Sequence, residues 1–232
     1  SHWIKRGDSD GSWCVVDNYF NARCSLKSFY VSTFPSDDTS FHFIRTNADR
    51  AGGQLPVLGR AADGGTDLGV SIDDITEKSL TEAISKKIQS MNNDVDVKIH
   101  FTRIDDSNLD LAERARIVNS YQPDLAISLH VNHNKNPEAN GYEIYISNNS
   151  SACEKSKELA NKLSASFAKN SPLKNRGVKD APYMILKKSE YPTMLVELGF
   201  ISNEFDRNYV TNEAGQTQIA QTILSFVSDL KQ

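Results

Sequence analysis

Cysteine is scarce in this 232-residue chain: three residues, Cys14, Cys24 and Cys153, are too few for a disulfide framework. No Cys-x-x-Cys pair occurs, which excludes a cysteine-built metal site. Cys14 and Cys24 are spaced for a short-loop bridge or stand as unrelated thiols, and Cys153 is left single. Apolar runs are short, none approaching the roughly 20 residues that a membrane-spanning helix needs. Basic clusters are missing too. With a formal net charge of −4 and a pI near 5.7, the chain has no Lys/Arg stripe for a phosphate backbone, so nucleic acid is not an expected partner. Internal repeats and low-complexity segments are also absent from the sequence.

What is present suits a globular protein with a substantial core: 38% hydrophobic and 24% charged residues. The length has room for one α/β domain with a modest appendage. Residues 1–53 differ in character, being rich in aromatics and turn formers with short β-prone pieces (Trp13–Val16, Phe29–Val31, Phe41–Ile44), and read as a small β-containing N-terminal extension. Gly52-Gly53 reads as the joint to a main domain, 54–232.

From Leu55 on, strand-like and helix-like segments alternate, the mark of an α/β sheet. Thr76 is placed to cap a helix whose apolar positions Leu80, Ile84, Ile88 and Met91 recur at helical spacing, with Glu77 in its first turn. Val97, Ile99 and Phe101 alternate with Lys98, His100 and Thr102, a strand near an edge that would leave His100 at the surface. Helices are expected at 109–121 (Leu111, Ala115 and Val118 inward), 151–169 and 213–230 (Ile219, Ile223, Phe226 and Leu230 inward), an alternating strand at 142–146, and a loop over 172–182.

Two further segments are continuous apolar runs, as strands buried on both faces of a parallel sheet are. Each carries one chemically capable residue late in the run: His130 in 124–132 and Glu197 in 194–203. An unpaired carboxylate in an apolar run is costly unless it has a cation, a metal or a proton to handle. In open α/β sheets the ligand crevice lies beyond the carboxyl ends of the strands, where these two would meet. The expected fold is therefore a mostly parallel twisted sheet flanked by helices on both faces.

Gly64-Gly-Thr-Asp-Leu-Gly69, Glu77-Lys78, Thr102-Arg103, Leu111-Ala-Glu-Arg114 with Asn119, Ser128-Leu-His-Val-Asn132, Gly141-Tyr-Glu-Ile-Tyr145 and Val196-Glu-Leu-Gly-Phe-Ile-Ser-Asn203 follow one another in a telling order. Over residues 56–231 this set resembles the zinc-dependent N-acetylmuramoyl-L-alanine amidases of the bacterial cell-wall amidase type 3 family. The resemblance implies a zinc ion held by Glu77, by His130 and by a His in a Gly-His-Gly-Gly turn, with Glu197 as the catalytic base. At the third ligand this sequence departs from the family, having Asp63 before Gly64-Gly65.

A carboxylate oxygen is a legitimate zinc ligand, so Asp63, Glu77 and His130 can form a three-ligand set, although two anions would leave bound water less acidic. His133 is an alternative donor and His42 a more remote one. Asn132 is the candidate substrate contact. The resemblance further implies hydrolysis of the amide between N-acetylmuramic acid and the L-alanine of the peptidoglycan stem peptide, in the cell envelope, after removal of an export signal. Any activator protein is unknown. The short link from Ile146 to the helix near Ser151 leaves no room for a long autoinhibitory insertion. Because of Asp63, a peptidoglycan-binding or regulatory pseudoenzyme is the competing reading.

Overall fold

The structure, a computed structural model, describes residues 40–45, 57–60, 69–103 and 111–230; for 40–45 and 57–60 it gives the backbone course. Asp63, Cys14, Cys24 and the β-prone pieces at 13–16 and 29–31 lie outside the described residues, as does the side chain of His42.

Strands β1 (Ser40–Arg45), β2 (Val57–Arg60), β5 (Val97–Arg103), β6 (Ala126–Asn132), β7 (Tyr142–Ile146), β8 (Asn175–Asp180) and β9 (Thr193–Phe200) build one seven-stranded sheet. Their order is β1-β5-β2-β6-β9-β7-β8, and β3 (Ser71–Ile72) with β4 (Ile75–Thr76) makes a separate two-stranded ladder. The β5–β2, β2–β6, β6–β9 and β7–β8 pairs are parallel. Antiparallel pairing occurs at β1–β5 and at β7–β9. The expected, mostly parallel sheet is thus present, with two reversals, of which the one between β9 and β7 sets the site.

Helices cover both faces. On one face α1 (Glu77–Met91), α3 (Cys153–Asn170) and α6 (Glu213–Asp229) pack onto Ile127, Leu129 and Val131 of β6 and onto Ile144, Met194, Val196 and Leu198. The other face has a smaller cluster, in which Ala115 and Val118 of α2 (Leu111–Tyr121) and Ile185 and Leu186 of α4 (Met184–Lys188) meet Ala126 and Leu195. Because side chains alternate along a strand, the two sets belong to opposite faces. Burial of these side chains supplies the main driving force, about 1.5–3 kcal/mol for each large apolar group.

Local signals account for the helix starts. The Thr76 hydroxyl accepts from the Ser79 N–H at 3.1 Å, as a helix cap does, and Leu80, Ile84 and Ile88 are buried as their spacing requires. α5 (Glu204–Thr211) is capped by Asn203, whose side chain accepts from the Asp206 N–H. The buried Asp206 carboxylate accepts in turn from the N–H groups of Gly141 (2.7 Å) and Phe200 (2.9 Å), tying the start of β7 to the end of β9.

Three expectations need correction. Residues 175–180 form a strand where a loop was expected: Asn-Arg-Gly-Val-Lys-Asp carries little apolar signal because it is an edge, and polar, charged edges are what protect a sheet from further pairing. His100 is half-buried, not on the surface; β1 pairs outside β5, and the imidazole stacks on Tyr121 at 4.7 Å between ring centres. Leu111, expected inward, is exposed, while Arg114 takes the buried position of that turn. The alternating strand expected at 142–146 is present as β7, with Glu143 buried.

Candidate functional site

His130 lies near the C-terminal end of β6, and its register partner on β9 is Glu197. Glu197 is in turn the register partner of Glu143 on the antiparallel strand β7. Directly opposed residues on neighbouring strands project to the same face. His130, Glu197 and Glu143 therefore form one row across three strands. The row lies on the α2/α4 face, beyond the small apolar cluster that covers the earlier part of those strands. Glu77 reaches this row from the first position of α1.

The Glu77 carboxylate is held by the backbone. Its Oε2 accepts from the Val70 N–H at 3.1 Å and its Oε1 from the Val131 N–H at 3.2 Å. Gly69 makes this approach possible: its φ is +65°, and a Cβ there would stand 2.3 Å from Glu77 Oε2. Glu77 Oε1 also stands 3.4 Å from His130 Nδ1. The far nitrogen, Nε2, is 2.8 Å from the hydroxyl of buried Ser128, which fixes the ring plane and turns Nδ1 toward Glu77.

Glu197 sits in a different environment. Its Oε2 is sealed from solvent and has no hydrogen-bond partner. Burial pushes its carboxyl up to about 7; the His130 charge opposes the rise, and the carboxylates of Glu77 and Glu143 add to it. A carboxyl poised near neutrality takes and returns a proton readily. Glu143 has the opposite character. Despite the cost of burial, it is drawn below the usual range by Tyr145, Arg176 and Lys179, which all bond to it.

Residues 58–229 match the protein-family model described as N-acetylmuramoyl-L-alanine amidase. The chain belongs to the N-acetylmuramoyl-L-alanine amidase family. It is 31% identical over 173 residues to the N-acetylmuramoyl-L-alanine amidase LytC of Bacillus subtilis, a match covering 72% of this chain and 35% of LytC. It is 25% identical over 237 residues to the probable cell wall amidase LytH of Staphylococcus epidermidis, covering 99% of this chain and 74% of that protein. The crystal structure of an N-acetylmuramoyl-L-alanine amidase from Clostridium difficile superposes with a TM-score of 0.68 at 28% identity, covering 74% of this chain and 93% of the other. The chain thus spans about a third of LytC and about three quarters of LytH.

Amidases of this family are generally zinc-dependent. Two ligands about 2.0–2.1 Å from a tetrahedral ion stand roughly 3.3 Å apart. The 3.4 Å between His130 Nδ1 and Glu77 Oε1 suits that spacing, and the unpartnered Glu197 Oε2 shares their rim. Among the described residues no third His, Cys, Asp or Glu completes a metal-binding group. Asp63 lies outside them, and His133 is exposed on the segment after β6. Asn132 ends β6, and its Oδ1 accepts from the His133 N–H at 2.8 Å. Ser128, Glu143 and Tyr145 fall within the sequence motifs with no chemical signal of their own, and Arg176, Lys179 and Tyr183 fall outside them. The available signal was the chemistry of 175–180, whose two cations face a strand with a buried carboxylate.

Proposed function

We propose that this chain is a peptidoglycan hydrolase that cleaves the amide between N-acetylmuramic acid and the L-alanine of the stem peptide with zinc-activated water. What supports the reading most is the row formed by His130 and Glu197: a proton-poised carboxyl with an unpartnered oxygen lies beside an imidazole already set against a backbone-anchored carboxylate. Glu77, His130 and Asp63 are the proposed zinc ligands, Glu197 the catalytic residue and Asn132 a substrate contact. The shares of LytC and LytH that the chain matches, and their names, support a cell-wall substrate.

Bound zinc supplies Lewis acidity, making water nucleophilic near neutral pH and offsetting negative charge on the amide oxygen. Glu197 takes the proton of the attacking water and returns it to the leaving alanine nitrogen. Glu77 and Ser128 keep His130 oriented throughout, so no reorganisation is needed at the moment of reaction. Residues 54–232 would form the catalytic domain and 1–53 an extension, with the protein acting in the cell envelope. No helix among the described residues is long and apolar enough to cross a membrane.

Digestion of purified peptidoglycan tests the proposal. Release of stem peptides with a free L-alanine amine, lost on chelation and on Glu197→Gln, is expected; intact wall after digestion with zinc present would refute it. One residue favours a second reading. Asp63 stands where the family resemblance places a His, and a wall-binding pseudoenzyme would retain muropeptide binding with no release of peptide.

A further inference from the structure

Two cations converge on one carboxylate beside the proposed catalytic residue. Glu143, 2% exposed, receives Arg176 Nε and Lys179 Nζ (2.9 Å) on its Oε1 and the Tyr145 hydroxyl on its Oε2. A single cation with the tyrosine would satisfy a buried carboxylate; here two cations reach it, and Arg176 also faces the Asp206 carboxylate and donates to the Asn140 carbonyl at 3.3 Å. Arg176 and Lys179 are 31% and 39% exposed, so both can also reach a ligand. An ammonium has three N–H donors and a guanidinium five.

These cations are held in place. Lys179 Nζ lies 5.9 Å from the centre of the Tyr145 ring and Arg176 Cζ lies 5.1 Å from that of Phe200. Tyr183, 43% exposed at the head of α4, stands edge-on to Tyr145 at 5.5 Å and extends an open aromatic wall. Register puts Lys179 beside Tyr145, and Glu143 opposite Glu197. Directly opposed antiparallel residues have Cα atoms about 5 Å apart. The crevice therefore runs from the carboxylates of Glu77 and Glu197 to the two partly exposed cations of β8.

We infer that Arg176 and Lys179, backed by Tyr145 and Tyr183, form a subsite for a carboxylate of the stem peptide close to the scissile amide. This rests on the amidase reading of the same site. Extended peptide advances about 3.3–3.6 Å per residue, so a carboxylate on the second stem residue stands roughly 7 Å from the bond cut. Register places the Glu143 cluster one strand away from Glu197, a step of the same order. Arginine and lysine are the side chains suited to grip a carboxylate, and repulsion from Glu77 and Glu197 would keep it at the β8 end and so fix the direction of the peptide.

The test measures binding of the γ-amide of muramoyl-L-alanyl-D-isoglutamate, whose α-carboxylate is free, and of the corresponding α,γ-diamide to the full chain carrying Glu197→Gln, by calorimetry. The carboxylate form is expected to bind about tenfold more tightly, with the preference shrinking below about threefold in Lys179→Met and persisting in Lys179→Arg, as a difference of one charge–charge contact predicts. Equal affinity for the two forms, a preference unchanged in Lys179→Met, or no binding of either form would overturn the subsite. Hydrolysis by the unsubstituted chain is scored separately: selective binding without cleavage keeps the subsite and removes the amidase reading.

Discussion

His130 Nδ1 stands 3.4 Å from Glu77 Oε1, and each partner is fixed by a second bond, His130 to the Ser128 hydroxyl and Glu77 to the Val131 N–H. Such an arrangement holds two donors at ligand spacing before any ion arrives, so the cost of ordering them is met in folding.

Zinc affinity should therefore depend on Ser128 although Ser128 is not a proposed ligand. Chelator competition is expected to show affinity falling roughly 10–100-fold in Ser128→Ala and further in His130→Ala or Glu77→Ala. Unchanged affinity in all three variants would remove this pair from the metal site.

Gly69→Ala should damage the site through Glu77. The new Cβ would fall 2.3 Å from Glu77 Oε2 at a residue whose φ is +65°. The left-handed conformation alone costs an alanine about 1–2 kcal/mol. Displacing the carboxylate adds to that, so a lowered melting temperature should be accompanied by weakened zinc binding.

Glu197 gives a pH signature. Burial raises its carboxyl from 4.5 to about 7. The folded state thus holds this proton more tightly than the unfolded chain does. The associated stability is complete below pH 4.5 and is lost as pH rises through 7. At pH 8, with chelator present, Glu197→Gln should be more stable than the parent by about 3 kcal/mol. The gain should vanish toward pH 4.5 in urea titrations. A constant difference across that range would show that the carboxyl is not perturbed.

Asp63→His replaces an anionic candidate ligand with the imidazole that the family resemblance implies. Zinc retention and amide hydrolysis are both expected to rise, since fewer anions leave the ion a stronger acid toward water. No gain in either would count against Asp63 as the third ligand.

Much of this architecture was legible in the sequence because its signals are local. The cap at Thr76, the Leu80–Ile84–Ile88 stripe and the apolar runs around His130 and Glu197 each report on burial directly. β8 was not legible: an edge strand pairs through its backbone and keeps its charged side chains, so 175–180 reads as loop. Glu143 was missed for a related reason. Alternation in 142–146 indicates a polar face, but only the antiparallel pairing with β9 shows that this face lines the crevice beside Glu197 instead of facing water. His100 became half-buried because a strand far earlier in the chain pairs outside it.

The Asp206 carboxylate, accepting from Gly141 and Phe200, fastens two strands that run in opposite directions to the head of a third element, α5. Those two amides should consequently exchange with deuterium as a single event, opening together and slowly, and in Asp206→Ala both should become labile at once. Replacing one side chain would then loosen the far rim of the crevice while leaving the Glu77–His130 end untouched.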